Sequence, residues 1–131
     1  MGLDKVNFIL LVDDDPINNF LNLRLLDSLN VADEVKVCLN GLEALEFLNV
    51  LRSKSNHYPD LILLDINMPV LDGFEFLKAF KDLEMSQKDS IKIVMLTTSS
   101  ALSDMNKVHN LGYEVINKPL TEEKINNILK H

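Results

Sequence analysis

The feature that most limits how this chain can fold is a set of short, unbroken apolar runs separated by longer stretches with helical spacing. Phe8-Ile9-Leu10-Leu11-Val12 and Leu61-Ile62-Leu63-Leu64 show no alternation of polar and apolar side chains. A strand with one wet face alternates, whereas one without alternation is covered on both faces. Residues 34–39 and 91–96 read as two further strands, and Val115-Ile116 as a short fifth. Asp15 followed by Pro16 reads as a helix N-cap with proline in the first turn. That helix runs to about Leu29, with Ile17, Phe20, Leu21 and Leu25 along one stripe. Further helices are expected over about 41–51, 74–83 and 102–111, the last stopped by Gly112. Thr121 caps a final helix whose positive first turn holds Glu122 and Glu123. The polar segments 52–57 and 85–90 read as loops. Five strands alternating with five helices predict an α/β fold, a parallel sheet covered on both sides.

Nothing in the 131 residues reads as a linker or repeat, so a single domain over 1–131 with no effector domain is expected. The chain has 20 acidic and 13 basic residues and a net charge of -7, which disfavours nonspecific attraction to nucleic acid or anionic lipid. Cys38 is the only cysteine, so no intramolecular disulfide can form; its apolar neighbours suggest a core residue. No apolar run approaches the roughly 20 residues that span a bilayer. A cytoplasmic protein is the expectation.

In an open parallel sheet, ligands bind beyond the carboxyl ends of the strands. The first strand ends in Asp13-Asp14-Asp15, the third in Asp65, the fourth in Thr97-Thr98, and the fifth in Asn117-Lys118-Pro119. Each is an ordinary sequence feature by itself: an aspartate or threonine after a strand often caps a helix, and a lysine is usually solvated. Together they differ. Clustered carboxylates repel unless a cation offsets them. Mg²⁺ needs only one or two carboxylates, with water and phosphate oxygens completing its shell. A hydroxyl and an ammonium opposite would hold the remaining oxygens of a phosphoryl group. The set fits phosphoryl transfer to a carboxylate nucleophile.

The stretches Val12-Asp13-Asp14-Asp15-Pro16, Leu64-Asp65-Ile66-Asn67-Met68-Pro69-Val70-Leu71-Asp72-Gly73, Leu96-Thr97-Thr98-Ser99 and Asn117-Lys118-Pro119-Leu120 resemble the motifs of response-regulator receiver domains, in order and spacing. The resemblance implies a flavodoxin-like doubly wound (βα)5 fold with strand order 2-1-3-4-5. It implies that Asp65 is the phosphoacceptor and that Asp14 ligates Mg²⁺ (or Mn²⁺) directly. Asp13 would act through metal-bound water, Asn67 through its backbone carbonyl. Thr97 and Lys118 would hold phosphoryl oxygens, with a cis peptide bond at Lys118–Pro119. Asp72-Gly73 would open the third helix, Gly73 supplying backbone freedom. Asn67 and Ser99 would flank the path of the hydrolytic water. The implied partners are a histidine kinase or histidine phosphotransferase and a downstream protein, without nucleic acid or membrane.

The chain departs from the family pattern where receivers often carry Tyr or Phe three residues before the lysine: Val115 stands there, and Tyr113 lies two positions earlier. Two other functions share part of the pattern. A haloacid-dehalogenase-type phosphatase also uses an aspartyl phosphate, and Asp13-x-Asp15 imitates its opening motif. Pro16-Ile17 breaks that motif, and no acidic motif follows Lys118. A pseudo-receiver interaction module would not need Asp13, Asp14, Asp65, Thr97 and Lys118 together.

Overall fold

A computed structural model describes residues 5–54, 57–83, 88–98 and 102–130. The strands are β1 (Val6–Val12), β2 (Ala32–Cys38), β3 (Leu61–Asp65), β4 (Lys92–Thr97) and β5 (Glu114–Asn117). They alternate with α1 (Pro16–Leu29), α2 (Gly41–Lys54), α3 (Gly73–Asp82), α4 (Leu102–Asn110) and α5 (Glu122–Leu129). The sheet is parallel throughout, in the order β2-β1-β3-β4-β5. This is the expected flavodoxin-like doubly wound fold with strand order 2-1-3-4-5.

The apolar runs lack alternation because both sides of the sheet are covered. Leu10, Val12, Ile62 and Leu64 pack with Leu48 of α2, Phe76 of α3 and Val108 of α4. The intervening residues Ile9, Leu11 and Leu63 pack with Leu26 of α1 and with Ile125 and Ile128 of α5. Each fully buried Leu or Ile contributes about 1.5–3 kcal/mol relative to exposure. Among the described residues, no helix is long and apolar enough to cross a membrane.

Several expectations need correction. The α1 stripe does not face the core: Ile17, Phe20 and Leu21 are 69%, 58% and 55% exposed. Leu25 is half-buried, and the inward residues are Asn19, Asn22 and Leu26. Asn19 is held there because its side-chain amide donates to Asp13 O at 2.9 Å. The second strand begins and ends earlier than expected, since Val6 pairs with Ala32 and Val12 with Cys38. The second helix continues through Lys54, and a short 3-10 turn covers Lys88–Ser90. Residues 85–87 and Ser99 lie outside the described residues.

Gly73 is required for a reason other than backbone freedom. A Cβ there would sit 2.8 Å from Asp65 O and 2.9 Å from Ile66 Cα. Its N–H donates to Ile66 O at 2.9 Å, so the start of α3 is drawn against the residues that end β3. Asp72 and Glu75 complete a reciprocal capping box, each side chain accepting from the other's N–H at 2.8 and 2.9 Å.

Candidate functional site

The chain runs from β1 outward to β2, then returns to lay β3 on the other side of β1. The loops after β1 and β3 therefore diverge, and the crevice between them opens at the carboxyl ends of these strands. Asp13 directly follows β1, and Asp65 is the last residue of β3. Thr97 ends β4 and pairs in register with Asn117, which ends β5 and precedes Lys118.

Three carboxylates meet in the crevice. Oxygen atoms of Asp13, Asp14 and Asp65 lie within 4.8 Å of one another. Asp13 and Asp65 are buried, and Asp14 is exposed. Local hydrogen bonds orient them. The Asp15 N–H donates to Asp13 Oδ1 at 2.9 Å, while Asp15 accepts from Ile17 N at 2.9 Å to cap α1. The Asn67 N–H donates to Asp65 Oδ1 at 3.3 Å. Asn19, which reading for apolar stripes misses, anchors the Asp13 backbone through its bond to Asp13 O.

Lys118 reaches across from the end of β5. Its Nζ lies 3.0 Å from Asp13 Oδ2 and 3.2 Å from Asp65 Oδ2. The Lys118 N–H donates to Thr97 O at 2.8 Å, which ties the lysine's backbone to the end of β4. The Lys118–Pro119 peptide is cis, as the resemblance implied. Thr97 is fully buried beside this group.

Burial pushes the Asp65 carboxyl up from its ordinary 3.8 to about 6. Lys118 pulls against that shift and the charge of Asp13 adds to it. For Lys118, burial opposes the ammonium, but its hydrogen bond to Asp13 and the charges of Asp65 and Asp13 outweigh burial and raise its pKa. The site thus holds more negative charge than one lysine offsets. That excess, and the all-oxygen donor set, fit a hard divalent cation.

Val115 is half-buried and packs against the core, and Tyr113 lines a separate cavity beside α3. Cys38 is fully buried, and burial pushes its thiol up to about 11, which makes it inert.

The sequence pattern of the response regulator receiver domain matches residues 9–130. A two-component response regulator from Cytophaga hutchinsonii is 32% identical, with a TM-score of 0.87 and 96% of each chain covered. The receiver domain of a sensor histidine kinase from Pseudomonas aeruginosa was solved with a magnesium ion coordinated in its active-site cleft. It is 25% identical with a TM-score of 0.75, over 99% of this chain and 96% of that one. A probable transcriptional regulator from Porphyra purpurea is 29% identical over 126 residues. The match takes in 95% of this chain but only 55% of that relative.

Proposed function

The chain belongs to the response regulator receiver family, and from that premise we propose that it works in a phosphorelay, accepting on Asp65 a phosphoryl group from a histidine kinase or histidine phosphotransferase. The observation that carries this reading is the convergence of Asp13, Asp65 and Lys118 from three strand ends, with Nζ within 3.2 Å of both carboxylates.

In the reaction, a carboxylate oxygen of Asp65 attacks phosphorus in line with the phosphorus–nitrogen bond of a partner's phosphohistidine. The oxygen–phosphorus bond forms as the phosphorus–nitrogen bond breaks, and the nitrogen takes back its electron pair into the imidazole. A folded pKa of about 6 leaves the carboxylate ionised, and nucleophilic, at neutral pH. Lys118 moves from the Asp65 carboxylate to a phosphoryl oxygen, and Thr97 gives its hydroxyl hydrogen to another. Asp13, Asp14, Asp65 and the backbone carbonyl of Asn67 would hold Mg²⁺ (or Mn²⁺). When bound, the ion supplies positive charge against the carboxylates and the incoming phosphoryl oxygens. Signal decay is attack of water on phosphorus: the bond from phosphorus to the Asp65 oxygen breaks, the carboxylate is returned and inorganic phosphate leaves, at a rate that the family resemblance assigns Asn67 and Ser99 to tune.

The exposed apolar residues of α1 suit the docking of a histidine-bearing helical partner. Leu21 also lines a cavity of about 420 Å³ together with Asn22, Thr98, Lys118 and Pro119. An apolar partner face seated on Ile17, Phe20 and Leu21 would therefore lie beside the acceptor. The receiver acts as a signalling domain, and its output leaves through the face of α4, β5 and α5. Thr97 and Lys118 bias that face, with Val115 in place of a swinging ring.

The test is incubation with Mg²⁺ and a small acyl phosphate, followed by intact-mass measurement. Wild type should gain one phosphoryl group and Asp65→Asn none. Equal gain by both, or none by wild type, would refute the proposal.

A further inference from the structure

A second cavity, of about 710 Å³, lies between α3, the segment leading into β4, and the end of α4. Phe74, Leu77, Phe80, Ile91, Ile93 and Tyr113 supply its apolar lining. Lys78, Lys81, Lys88 and Lys107 line it as well, against one carboxylate among the described residues, Glu75. In a chain with 20 acidic and 13 basic residues, this cleft gathers four of the bases.

Among the described residues, none of these lysines forms an ion pair with an acid. The ion pairs among the described residues join Lys5 to Asp33, Lys92 to Glu114, and Lys118 to Asp13 and Asp65. None involves the four cavity lysines. Lys107 Nζ sits 4.0 Å from the centroid of the Phe74 ring and Lys88 Nζ 5.9 Å from that of Phe80. Lys88 also donates to Lys81 O and Leu83 O, at 2.6 and 2.9 Å, closing the C-terminal end of α3. Glu75 is turned to the other end of the helix, where it accepts from Asp72 N. Among the described residues, the cleft therefore combines an aromatic floor and a cationic rim with Glu75 as its one carboxylate. Its volume falls within the roughly 300–1,000 Å³ of small-molecule sites.

We propose that this cleft binds a small amphipathic anion: a flat apolar body against Phe74, Phe80 and Tyr113, with phosphate, sulfonate or carboxylate groups among the lysines. Both halves of the ligand matter. The two phenylalanine rings offer a bare inorganic anion no hydrogen-bond donor, and the lysines disfavour a neutral hydrocarbon that would desolvate them unpaired. The site is separate from the aspartate crevice and does not depend on phosphoryl acceptance.

Anilinonaphthalene sulfonate is a probe with both halves, and its uncharged parent anilinonaphthalene has only one. Titrating each into the full chain while following backbone amide shifts tests the inference. The sulfonate should shift amides of residues 74–81 and 107–113, and bind more tightly than the parent. The triple variant Lys78→Glu, Lys81→Glu, Lys107→Glu removes three exposed ammoniums and spares the helix-closing Lys88. It should bind the sulfonate about tenfold or more weakly. Reversing Lys5, Lys36 and Lys130 gives the same net charge and should leave binding unchanged, as should Asp65→Asn. Shifts confined to other residues would overturn the inference. So would equal binding of the uncharged parent, or equal loss in both triple variants.

Discussion

Lys118 Nζ lies 3.2 Å from Asp65 Oδ2, joining the end of β5 to the end of β3 across the intervening β4. The same nitrogen is 3.0 Å from Asp13 Oδ2, so one half-buried cation is shared between two buried carboxylates. The chemistry and the stability of the crevice both follow from that sharing.

Asp65 lowers the stability of the metal-free protein at neutral pH. Its folded pKa of about 6 lies above the ordinary 3.8, so between those values the folded state holds more protons than the unfolded. Stability then falls as pH rises through that window, with no penalty below about 4 and the full penalty above about 6. Asp65→Asn mimics the neutral carboxyl and should stabilise the metal-free chain at pH 7.5 by on the order of 2 kcal/mol. The gain should vanish near pH 4. Urea unfolding with chelator at both pH values checks this, and a variant less stable at pH 7.5 would contradict it.

Lys118→Met should act in the opposite sense. Removing the cation leaves Asp13 and Asp65 facing one another without compensation, which costs about 2–3 kcal/mol at neutral pH. The loss should shrink below pH 5, where Asp65 takes up a proton. Equal destabilisation at pH 4.5 and 7.5 would show that the lysine matters through packing instead.

Val70 should be a site of stored strain. It has φ +70, is 73% exposed, and centres a turn in which Leu71 N donates to Pro69 O at 2.7 Å. A β-branched residue pays for the left-handed region, and glycine does not. Against the added unfolded-state entropy of glycine, Val70→Gly should still gain about 0.5–1 kcal/mol. Thermal unfolding measures it; a lower melting temperature would refute the strain.

Charge on the exposed face of α1 should separate docking from chemistry. Phe20→Glu with Leu21→Glu places carboxylates where both side chains are more than half exposed, so stability should change by no more than about 0.5 kcal/mol. Transfer from a phosphorylated histidine phosphotransferase should fall at least tenfold, while phosphorylation by a small acyl phosphate stays unchanged. Parallel loss from both donors would place the defect in the crevice.

The strands buried on both faces were the legible part of this fold. β1, β3 and β4 announce themselves because neither side of the sheet reaches water, and their ends bring Asp13, Asp65 and Thr97 to one rim. The edge strand β2 was harder to delimit, since Asp33, Glu34 and Lys36 are exposed and dilute the apolar signal. The orientation of α1 was not legible. Hydrophobic spacing sees Phe20 and Leu21, but not the hydrogen bond that draws Asn19 inward to Asp13 O. Nor does spacing show that Gly73 is needed for the room beside Asp65 O and Met95. The convergence of Lys118 on two carboxylates depends on β5 lying at the far edge of the sheet, which strand order alone decides.

The most direct measurement is chemical trapping of the phosphorylated residue. After treatment with Mg²⁺ and a small acyl phosphate, borohydride reduces an aspartyl phosphate to homoserine, which peptide mass spectrometry locates. The account predicts homoserine at position 65 alone, with Asp13, Asp14 and Asp72 unaltered. Trapping at another aspartate, or none at all from protein that has bound the metal, would contradict it.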